Sequence, residues 1–261
     1  MAPALMGNTP SQGGSLSGET ERYKIILAYH GAAFSGMQRQ ARHRSVQAVL
    51  EDALRVLGWQ GRAVMFAGRT DAGVHASGQV AAFDLSWKHS NENLLKALNA
   101  QLPADVAVHA VEQVGAQFHP RYDARKRTYR YRLYCQPQRD PLREGLAWRV
   151  WPAPKLRRLQ AAARHLRGEH DFGAFGPAPQ QGGHTVRTVY TARWSAAGDE
   201  FVFEVTANAF LYHMVRRMVG LQVAAGQGMI EPEEVAHTLR NTQRVRQLAP
   251  AHGLTLTDVK Y

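Results

Sequence analysis

The pattern of apolar and polar positions in the first half of the chain predicts strands and helices in a regular order. Residues 23–29 are mostly apolar and β-prone, which predicts a first strand. Apolar side chains at helical spacing follow Ser45 and again follow Ser90, and serine is a common N-cap residue. Further strands are predicted at 63–67, 79–83 and 106–108. The resulting order, β-α-β-β-α-β, is the split-βαβ plan.

The second half repeats this order. A strand over 126–135 places Tyr129, Tyr131 and Leu133 on one face. The elements predicted after it are a helix opened by Pro154, a β-hairpin over 186–194 and 200–206, a helix from Leu211, a short helix after Pro232 and a strand near 254–256. We therefore predict an α+β fold, in which two similar split-βαβ halves, ferredoxin-like or RRM-like, form a mostly antiparallel sheet with a central cleft. The expected domains are a disordered tail over 1–21, an N-terminal α/β domain over 22–112 and a C-terminal α/β domain over 113–261.

Charge and cysteine content narrow the class of protein. The chain has 32 Lys and Arg against 21 Asp and Glu, a formal net charge of +11, which favours a polyanionic partner, nucleic acid first. An anionic membrane is the rival, but no basic amphipathic helix of the membrane-surface type stands out. Cys135 is the only cysteine, which excludes an intrachain disulfide and fits a reducing compartment. Residues 1–20 lack the basic and apolar regions of a signal peptide, so we expect a cytoplasmic protein with no membrane association.

A short segment between two predicted strands carries more reactive side chains than a turn requires. It reads Gly68-Arg69-Thr70-Asp71-Ala72-Gly73-Val74-His75. Its glycines allow a tight turn, yet a turn needs no arginine, aspartate and histidine together. The segment fits neither phosphate-loop pattern. It is a candidate active-site loop presenting Asp71, and the alternative is an ordinary loop in which Asp71 caps a turn and Arg69 is solvated.

Two other segments carry candidate chemistry. The strand at 126–135 interleaves arginines with tyrosines, a pattern that suits looped RNA because guanidinium groups hold phosphates while rings stack on bases. The alternative is a solvated arginine face opposite a tyrosine-rich core face. Arg216 and Arg217 lie off the apolar stripe of their helix, so they are either solvated or one of them pairs with Asp71.

Taken in order, these segments resemble the tRNA pseudouridine synthase A family. The likeness runs from about Arg22 to the end of the chain. Its motifs are Gly68 to His75, Phe118-His119-Pro120-Arg121-Tyr122, Arg127-Thr128-Tyr129-Arg130-Tyr131, Asp171-Phe172, Phe210 to Arg216 and Gly253-Leu254. Pro120 departs from the family pattern, which has a small residue before the arginine.

The resemblance implies a function and a set of roles. The reaction is isomerisation of uridine to pseudouridine at positions 38–40 of the tRNA anticodon stem-loop, by a homodimer that needs no cofactor or metal. Asp71 is the implied nucleophile, and Arg216 is its ionic partner. Tyr129 stacks on the flipped uracil in the RNA-binding cleft and is a candidate for removing the C5 proton. The implied substrate-binding residues are Arg69, His75, Arg127 and Leu254, with Tyr129.

Two rival functions follow from the same residues. A noncatalytic RNA-binding module uses sheet aromatics and basic side chains in the same way, but it leaves Arg69, Asp71 and Arg216 without a purpose. A metal-dependent hydrolase or nuclease could use Asp71 and His75, yet the sequence has no H-E-x-x-H motif or close Asp/Glu/His cluster. Both rivals make experimental predictions that differ from an isomerase.

Overall fold

The computed structural model describes residues 20–178, 182–241 and 243–261, so nearly all of the expected tail at 1–21 lies outside it. The strands are β1 Glu21–Tyr29, β2 Met65–Phe66, β3 His75–Leu85, β4 Val106–Val114, β5 Lys126–Tyr134, β6 Trp148–Arg149, β7 Gly168–Asp171, β8 Val186–Ala197, β9 Glu200–Ala207 and β10 Leu254–Lys260. The helices are α1 Val46–Val56, α2 Asn91–Gln101, α3 Leu156–Arg164, α4 Met214–Gly226 and α5 Glu234–Arg240. Three short 3-10 turns span Gly31–Ala33, Gly173–Phe175 and Ala251–Gly253.

All ten strands belong to one sheet. Its main path is β4-β1-β3-β10-β5-β9-β8-β7, with β2 on β3 and β6 on β5. The pairs β3–β10 and β5–β6 are parallel and the other described pairs are antiparallel. The prediction of an α+β protein with a large, mostly antiparallel sheet is confirmed. The strand order β4-β1-β3-β2 in the first half matches β10-β5-β9-β8 in the second.

The two halves of the sheet are joined by a short parallel contact. Thr255 pairs with His75 and Leu256 pairs with Ala76. The last strand of the chain therefore lies against the residues that directly follow the Asp71 loop. The fold brings the C-terminal end of the protein to the candidate site through this pairing.

The helix starts predicted at serines are present. Ser45 Oγ accepts a hydrogen bond from the Ala48 amide at 3.3 Å, and Ser90 Oγ accepts one from the Asn93 amide at 3.2 Å. These bonds satisfy amides that the first turn of a helix leaves without partners. Both N-caps are confirmed.

Several boundaries differ from the sequence prediction. β4 continues to Val114, so a division at 112/113 falls inside a strand. The helix expected from Leu211 begins at Met214, because His213 adopts a left-handed conformation with φ 62°. His75 opens β3 instead of ending a loop.

The tyrosines of β5 are core residues. Tyr131 and Tyr134 are both fully buried, and Tyr129 is 8% exposed. Of the two interpretations of this strand, the tyrosine-rich core face holds for Tyr131 and Tyr134, since neither ring reaches the surface. Within the described ranges, no helix is both long and apolar enough to cross a membrane.

Candidate active site

The segment between β2 and β3 forms a tight turn that holds Asp71 in place. The Val74 amide donates to the Asp71 carbonyl at 3.2 Å, and Gly73 between them has φ +78°. A glycine is favoured at this position because side chains make positive φ costly. Thr70 is anchored beneath the turn by a 2.8 Å hydrogen bond between its hydroxyl and that of Tyr29. The turn is thus fixed to β1 on one side of Asp71.

Close backbone packing fixes the turn from its other side. A Cβ atom on Gly31 would lie 2.1 Å from the carbonyl oxygen of Val74, so only glycine fits there. The Gly73 amide also donates to the Phe34 carbonyl at 3.3 Å. These backbone contacts fix the position of Asp71 independently of the partners of its side chain.

Arg216 reaches the carboxylate from α4. Its Nη1 donates to Oδ2 of Asp71 at 3.1 Å, while its Nε donates to the Ala249 carbonyl at 2.8 Å. The Asp71 side chain is 21% exposed and that of Arg216 is 13% exposed. A partly buried pair of this kind is screened less than a surface ion pair. The carboxylate is held in one orientation, yet it remains accessible from solvent.

Arg217 has a different role from its neighbour. It is buried, and it donates to the carbonyls of Val245 at 3.2 Å and Phe175 at 3.0 Å. Burial lowers the pKa of this guanidinium below its ordinary value. Of the two candidates, the structure therefore places Arg216 on Asp71 and uses Arg217 to bind backbone carbonyls.

His213 is a second side chain in contact with Asp71, and it was not among the predicted site residues. Its Nε2 lies 3.2 Å from Oδ2 of Asp71. The residue stood within the quoted segment Phe210 to Arg216, three positions before Arg216. Its closeness to Arg216 in sequence was the one sign of its place at the site. The direction of its side chain depends on a left-handed backbone conformation, which no pattern of apolar spacing predicts.

Tyr129 and Leu254 line the same region. The Tyr129 ring packs edge-on against Phe210, with ring centroids 5.0 Å apart. Burial raises the pKa of Tyr129 far above its ordinary value, and the charge of Asp71 adds to the shift, so the phenol is protonated at neutral pH. Leu254 is 5% exposed and opens β10, next to the residue pair that joins the halves.

Arg69 is exposed beside the Asp71 turn. Its side chain makes no ion pair with the described part of the chain. A solvated guanidinium two residues from the carboxylate is available to a polyanionic ligand. This placement distinguishes Arg69 from the buried cations around it.

Arg127, one of the predicted substrate-binding residues, is directed at the backbone of its own chain. Its guanidinium donates to the Ala67 carbonyl at 2.9 Å, the Asn208 carbonyl at 2.9 Å and the Arg121 carbonyl at 2.8 Å. Burial lowers its pKa. With its donors directed at three separate backbone segments, Arg127 ties the strands together and leaves no group facing a nucleotide.

His75, also predicted to bind substrate, lies inside the protein. It is 5% exposed, its Nδ1 accepts from the Gly31 amide at 3.0 Å, and its Nε2 lies 2.9 Å from the Gly145 carbonyl and 3.0 Å from the His252 carbonyl. Burial lowers its pKa, so the ring is neutral with its proton on Nε2. Both ring nitrogens make hydrogen bonds to other residues of the protein, so His75 helps to hold the loop in place.

The described residues contain no group of three or more His, Cys, Asp or Glu side chains that could hold a metal ion. The groups collected at the site are instead a carboxylate, a guanidinium, an imidazole and a buried phenol. A carboxylate fixed by a cation is suited to covalent catalysis, since it can attack an electrophilic carbon and later leave. Fold and site together present one oriented, solvent-accessible carboxylate held by a guanidinium.

Comparison with known proteins gives the family. A family model described as tRNA pseudouridine synthase matches residues 25–123 and 162–261. The chain is 42% identical over 243 residues to tRNA pseudouridine synthase A of Methylobacterium nodulans, covering 92% of this chain and 96% of that protein. It is 40% identical to the protein of the same name from Geobacillus kaustophilus, covering 93% and 95%, and 39% identical to that of Chloroflexus aurantiacus, covering 91% and 87%. The chain belongs to the tRNA pseudouridine synthase family.

Proposed function

We propose that this protein isomerises uridine to pseudouridine in the anticodon stem-loop of tRNA, at positions 38–40, with Asp71 as the nucleophile. One observation carries the proposal. Arg216 holds a single oxygen of a carboxylate that stays 21% exposed, on a turn whose backbone is fixed from both sides. Membership of the family supports the substrate class, and the geometry supports the choice of Asp71.

The reaction suits this set of side chains. The C1′–N1 glycosidic bond breaks, a C1′–C5 bond forms, the proton on C5 is lost and N1 gains one, so no oxidant or second substrate is consumed. Asp71 forms a covalent bond to the ribose C1′ or the uracil C6, and that bond breaks again before the product leaves. Tyr129 packs against the flipped uracil, and because its phenol is protonated at neutral pH, it assists removal of the C5 proton through a hydrogen bond and is not itself the base. Leu254 contacts the base, and Arg69 holds the extruded nucleotide.

Base flipping is part of the proposal, because a paired base inside a stem cannot reach Asp71. Unstacking and unpairing cost roughly a few kcal/mol. Contacts between the exposed Arg69 and the phosphate backbone, and packing of the uracil beside Tyr129, offset this cost. Unlike Tyr131 and Tyr134, Tyr129 is 8% exposed, so a small part of its ring is open to the detached uracil.

The matching strand orders of the two halves support a further proposal about the domain architecture. We interpret the halves as similar split-βαβ units with the RNA-binding cleft between them, and we move the boundary of the two domains to the segment after Val114, where β4 ends. We also place the enzyme in the cytoplasm, where its substrate is found.

A homodimer is proposed as the working assembly. An apolar groove along α4 supports it, since Met229 is 70% exposed and Leu248 is 41% exposed at its edge. Light scattering at micromolar concentration is expected to give twice the mass of the chain. A mass of 29 kDa would contradict the proposal.

The proposed function is tested by tritium release from tRNA labelled at uracil C5. Pseudouridine formation frees this hydrogen, whereas binding and strand cleavage do not. Release by the wild type, and none by Asp71→Ala or Asp71→Asn, is the expected result. Release by all three would place the active site elsewhere.

The same experiment separates the rivals. A noncatalytic RNA-binding module would bind tRNA but release no tritium even as the wild type. A metal-dependent hydrolase would lose activity in excess EDTA, and we expect full activity there. Asp71→Asn is the matched control for folding, because it keeps the size of the side chain and changes only its charge.

A further inference from the structure

Tyr212 is an aromatic residue beside the active site to which the proposed reaction gives no role. It is 53% exposed, and it directly precedes His213 in the chain. Its ring stacks on the imidazole of His213, with ring centroids 3.7 Å apart and an angle of 26° between the planes. Nε2 of that imidazole lies 3.2 Å from Oδ2 of Asp71. Two contacts therefore separate an exposed aromatic ring from the carboxylate.

An unusual backbone conformation brings the two rings together. Successive side chains on a strand point to opposite faces, and on a helix they differ by about 100° in direction, so neither element stacks consecutive rings. His213 has φ 62° and ψ 6°, a left-handed conformation uncommon for a residue with a side chain. Backbone strain of this kind clusters at functional sites. Here it results in an aromatic stack directly beside Asp71.

The backbone of Tyr212 is anchored through both its amide and its carbonyl. The amide donates to the Pro177 carbonyl at 3.3 Å, and the carbonyl accepts from Nη1 of Arg217 at 3.3 Å. A Cβ atom on Gly176 would lie 2.1 Å from the same carbonyl oxygen, so these two segments are in close contact. A ring that is held in place before binding loses little conformational entropy when a ligand stacks on it. The exposed ring is therefore a preorganised surface for a planar group.

Packing of the protein core does not account for this tyrosine. Tyr131 and Tyr134 are fully buried, and their hydroxyls donate to the Pro250 carbonyl at 2.7 Å and to Glu144 at 2.6 Å. Within the described ranges, the hydroxyl of Tyr212 makes no such bond, and the residue is exposed. Exposed aromatic rings beside a site for a polyanion are typical of surfaces that stack on nucleic-acid bases.

We propose that Tyr212 stacks on a base adjacent to the target uridine when that uridine is flipped toward Asp71. This inference rests on the proposed function, and it adds a substrate-binding residue outside the predicted set. Neighbouring bases in a strand are about 3.4 Å apart, so a base next to the uridine that reaches Asp71 is within reach of the ring. Flipping removes a stacking partner from that neighbouring base, and Tyr212 replaces it.

Stacking suits an enzyme that acts at positions 38–40. Each of these positions has different neighbouring bases, and hydrogen bonds to base edges would favour some neighbours over others. Every base has an aromatic face, so stacking on a tyrosine tolerates changes of sequence. The ring of Tyr212 therefore stabilises the flipped complex without selecting one neighbouring base.

Variants of Tyr212 separate the role of its ring from that of its hydroxyl. Tyr212→Phe keeps the ring, whereas Tyr212→Leu keeps apolar volume without an aromatic face. We expect kcat/KM for tRNA to fall about tenfold in Tyr212→Leu, the effect of losing one base-stacking contact, and to stay within about twofold of the wild type in Tyr212→Phe.

Tyr190→Leu is the matched control for the loss of an exposed ring. Tyr190 is 46% exposed on β8, and Nζ of Lys126 lies 4.6 Å from its ring centroid. Its kcat/KM should equal that of the wild type. The midpoint of urea denaturation should match the wild type in all three variants, because both tyrosines are exposed.

Substitution on the RNA tests the stacking contact directly. The substrate is tRNA with its target uridine at position 39 and an abasic nucleotide at position 38 or at position 40. If Tyr212 stacks on one of these neighbours, removal of that base should lower kcat/KM about tenfold more for the wild type than for Tyr212→Leu, because two changes to one contact are not additive. Additive losses at both positions, equal losses in Tyr212→Leu and Tyr190→Leu, or losses that follow the urea midpoint would overturn the proposal.

A binding measurement without turnover keeps this inference distinct from the proposed function. The probe is tRNA with 2-aminopurine at position 38 or at position 40, a base whose fluorescence falls when it is stacked. At one position, we expect lower fluorescence in the complex with Asp71→Asn than in the complex with Asp71→Asn that also carries Tyr212→Leu. This difference without tritium release by the wild type would uphold the role of Tyr212 and refute the proposed function. Tritium release by the wild type, with equal fluorescence in the two complexes at both positions, would refute the role of Tyr212 alone.

Discussion

At the scale of single residues, neighbouring arginines on one helix have unrelated roles. Successive residues on a helix differ by about 100° in direction, so Arg216 faces Asp71 while Arg217 faces the backbone of Phe175 and Val245. The sequence supplied the choice of Arg216 through the family motif, since charge patterning alone left both arginines open. Arg127 and His75 show the limit of that approach. Their residue types suit nucleotide binding, but burial directs their polar atoms inward, and burial depends on the whole fold.

Lysine substitutions at the two arginines are expected to have opposite effects. Arg216→Lys cannot hold both Asp71 and the Ala249 carbonyl, so kcat should fall about 100-fold. Its free energy of unfolding should fall by only about 1 kcal/mol, because a single backbone carbonyl, that of Ala249, loses its donor. Arg217→Lys leaves buried carbonyls without donors and should lower the free energy of unfolding by roughly 2–4 kcal/mol. Tritium release and urea denaturation measure the two effects, and equal stability losses in both variants would contradict this division of roles.

At the scale of elements, local signals predicted most of the fold and missed the contacts between distant segments. Ser45 and Ser90 cap their helices as predicted, because capping depends on residues three positions apart. The parallel contact between β3 and β10 joins residues about 180 positions apart, and no local pattern indicates it. The late start of α4 has a related origin, since Gly176, from a segment distant in sequence, packs against the carbonyl of Tyr212, the residue before His213.

The β3–β10 junction depends on Gly78. A Cβ at this position would lie 2.2 Å from the Thr257 carbonyl oxygen, whereas nothing lies within 4 Å of a Cβ added at Gly115. We expect Gly78→Ala to push β10 away and to lower the free energy of unfolding by about 1–3 kcal/mol, the usual cost of overpacking. Gly115→Ala is the matched control and should change it by less than about 0.5 kcal/mol. Urea denaturation of both variants checks the prediction, and equal midpoints would show that the sheet accommodates the methyl group.

At the scale of the whole molecule, the net charge is +11, but only some of the cationic side chains are free to bind a ligand. Arg22, Arg44 and Arg132 are already paired with carboxylates of this chain, at 2.6 Å from Asp84, 2.5 Å from Asp105 and 2.7 Å from Glu200. Arg69 is exposed, without an ion pair in the described ranges. The charge count from the sequence indicated a polyanion, but only the structure separates arginines that hold the fold from those that can hold phosphates.

Binding of tRNA should therefore depend on salt through a subset of the arginines. Each phosphate contact contributes about 0.7–0.9 to the slope of log Kd against log salt concentration, because binding releases condensed counterions. Arg69→Gln is expected to reduce this slope by about one such unit and to weaken binding at low salt. Arg132→Gln removes the same charge from the chain but breaks an internal pair with Glu200, so its slope should match the wild type. Fluorescence anisotropy over a salt series measures both. Equal reductions in the two variants would mean that tRNA responds to net charge alone, and that the position of Arg69 beside the Asp71 turn gives it no special part in binding.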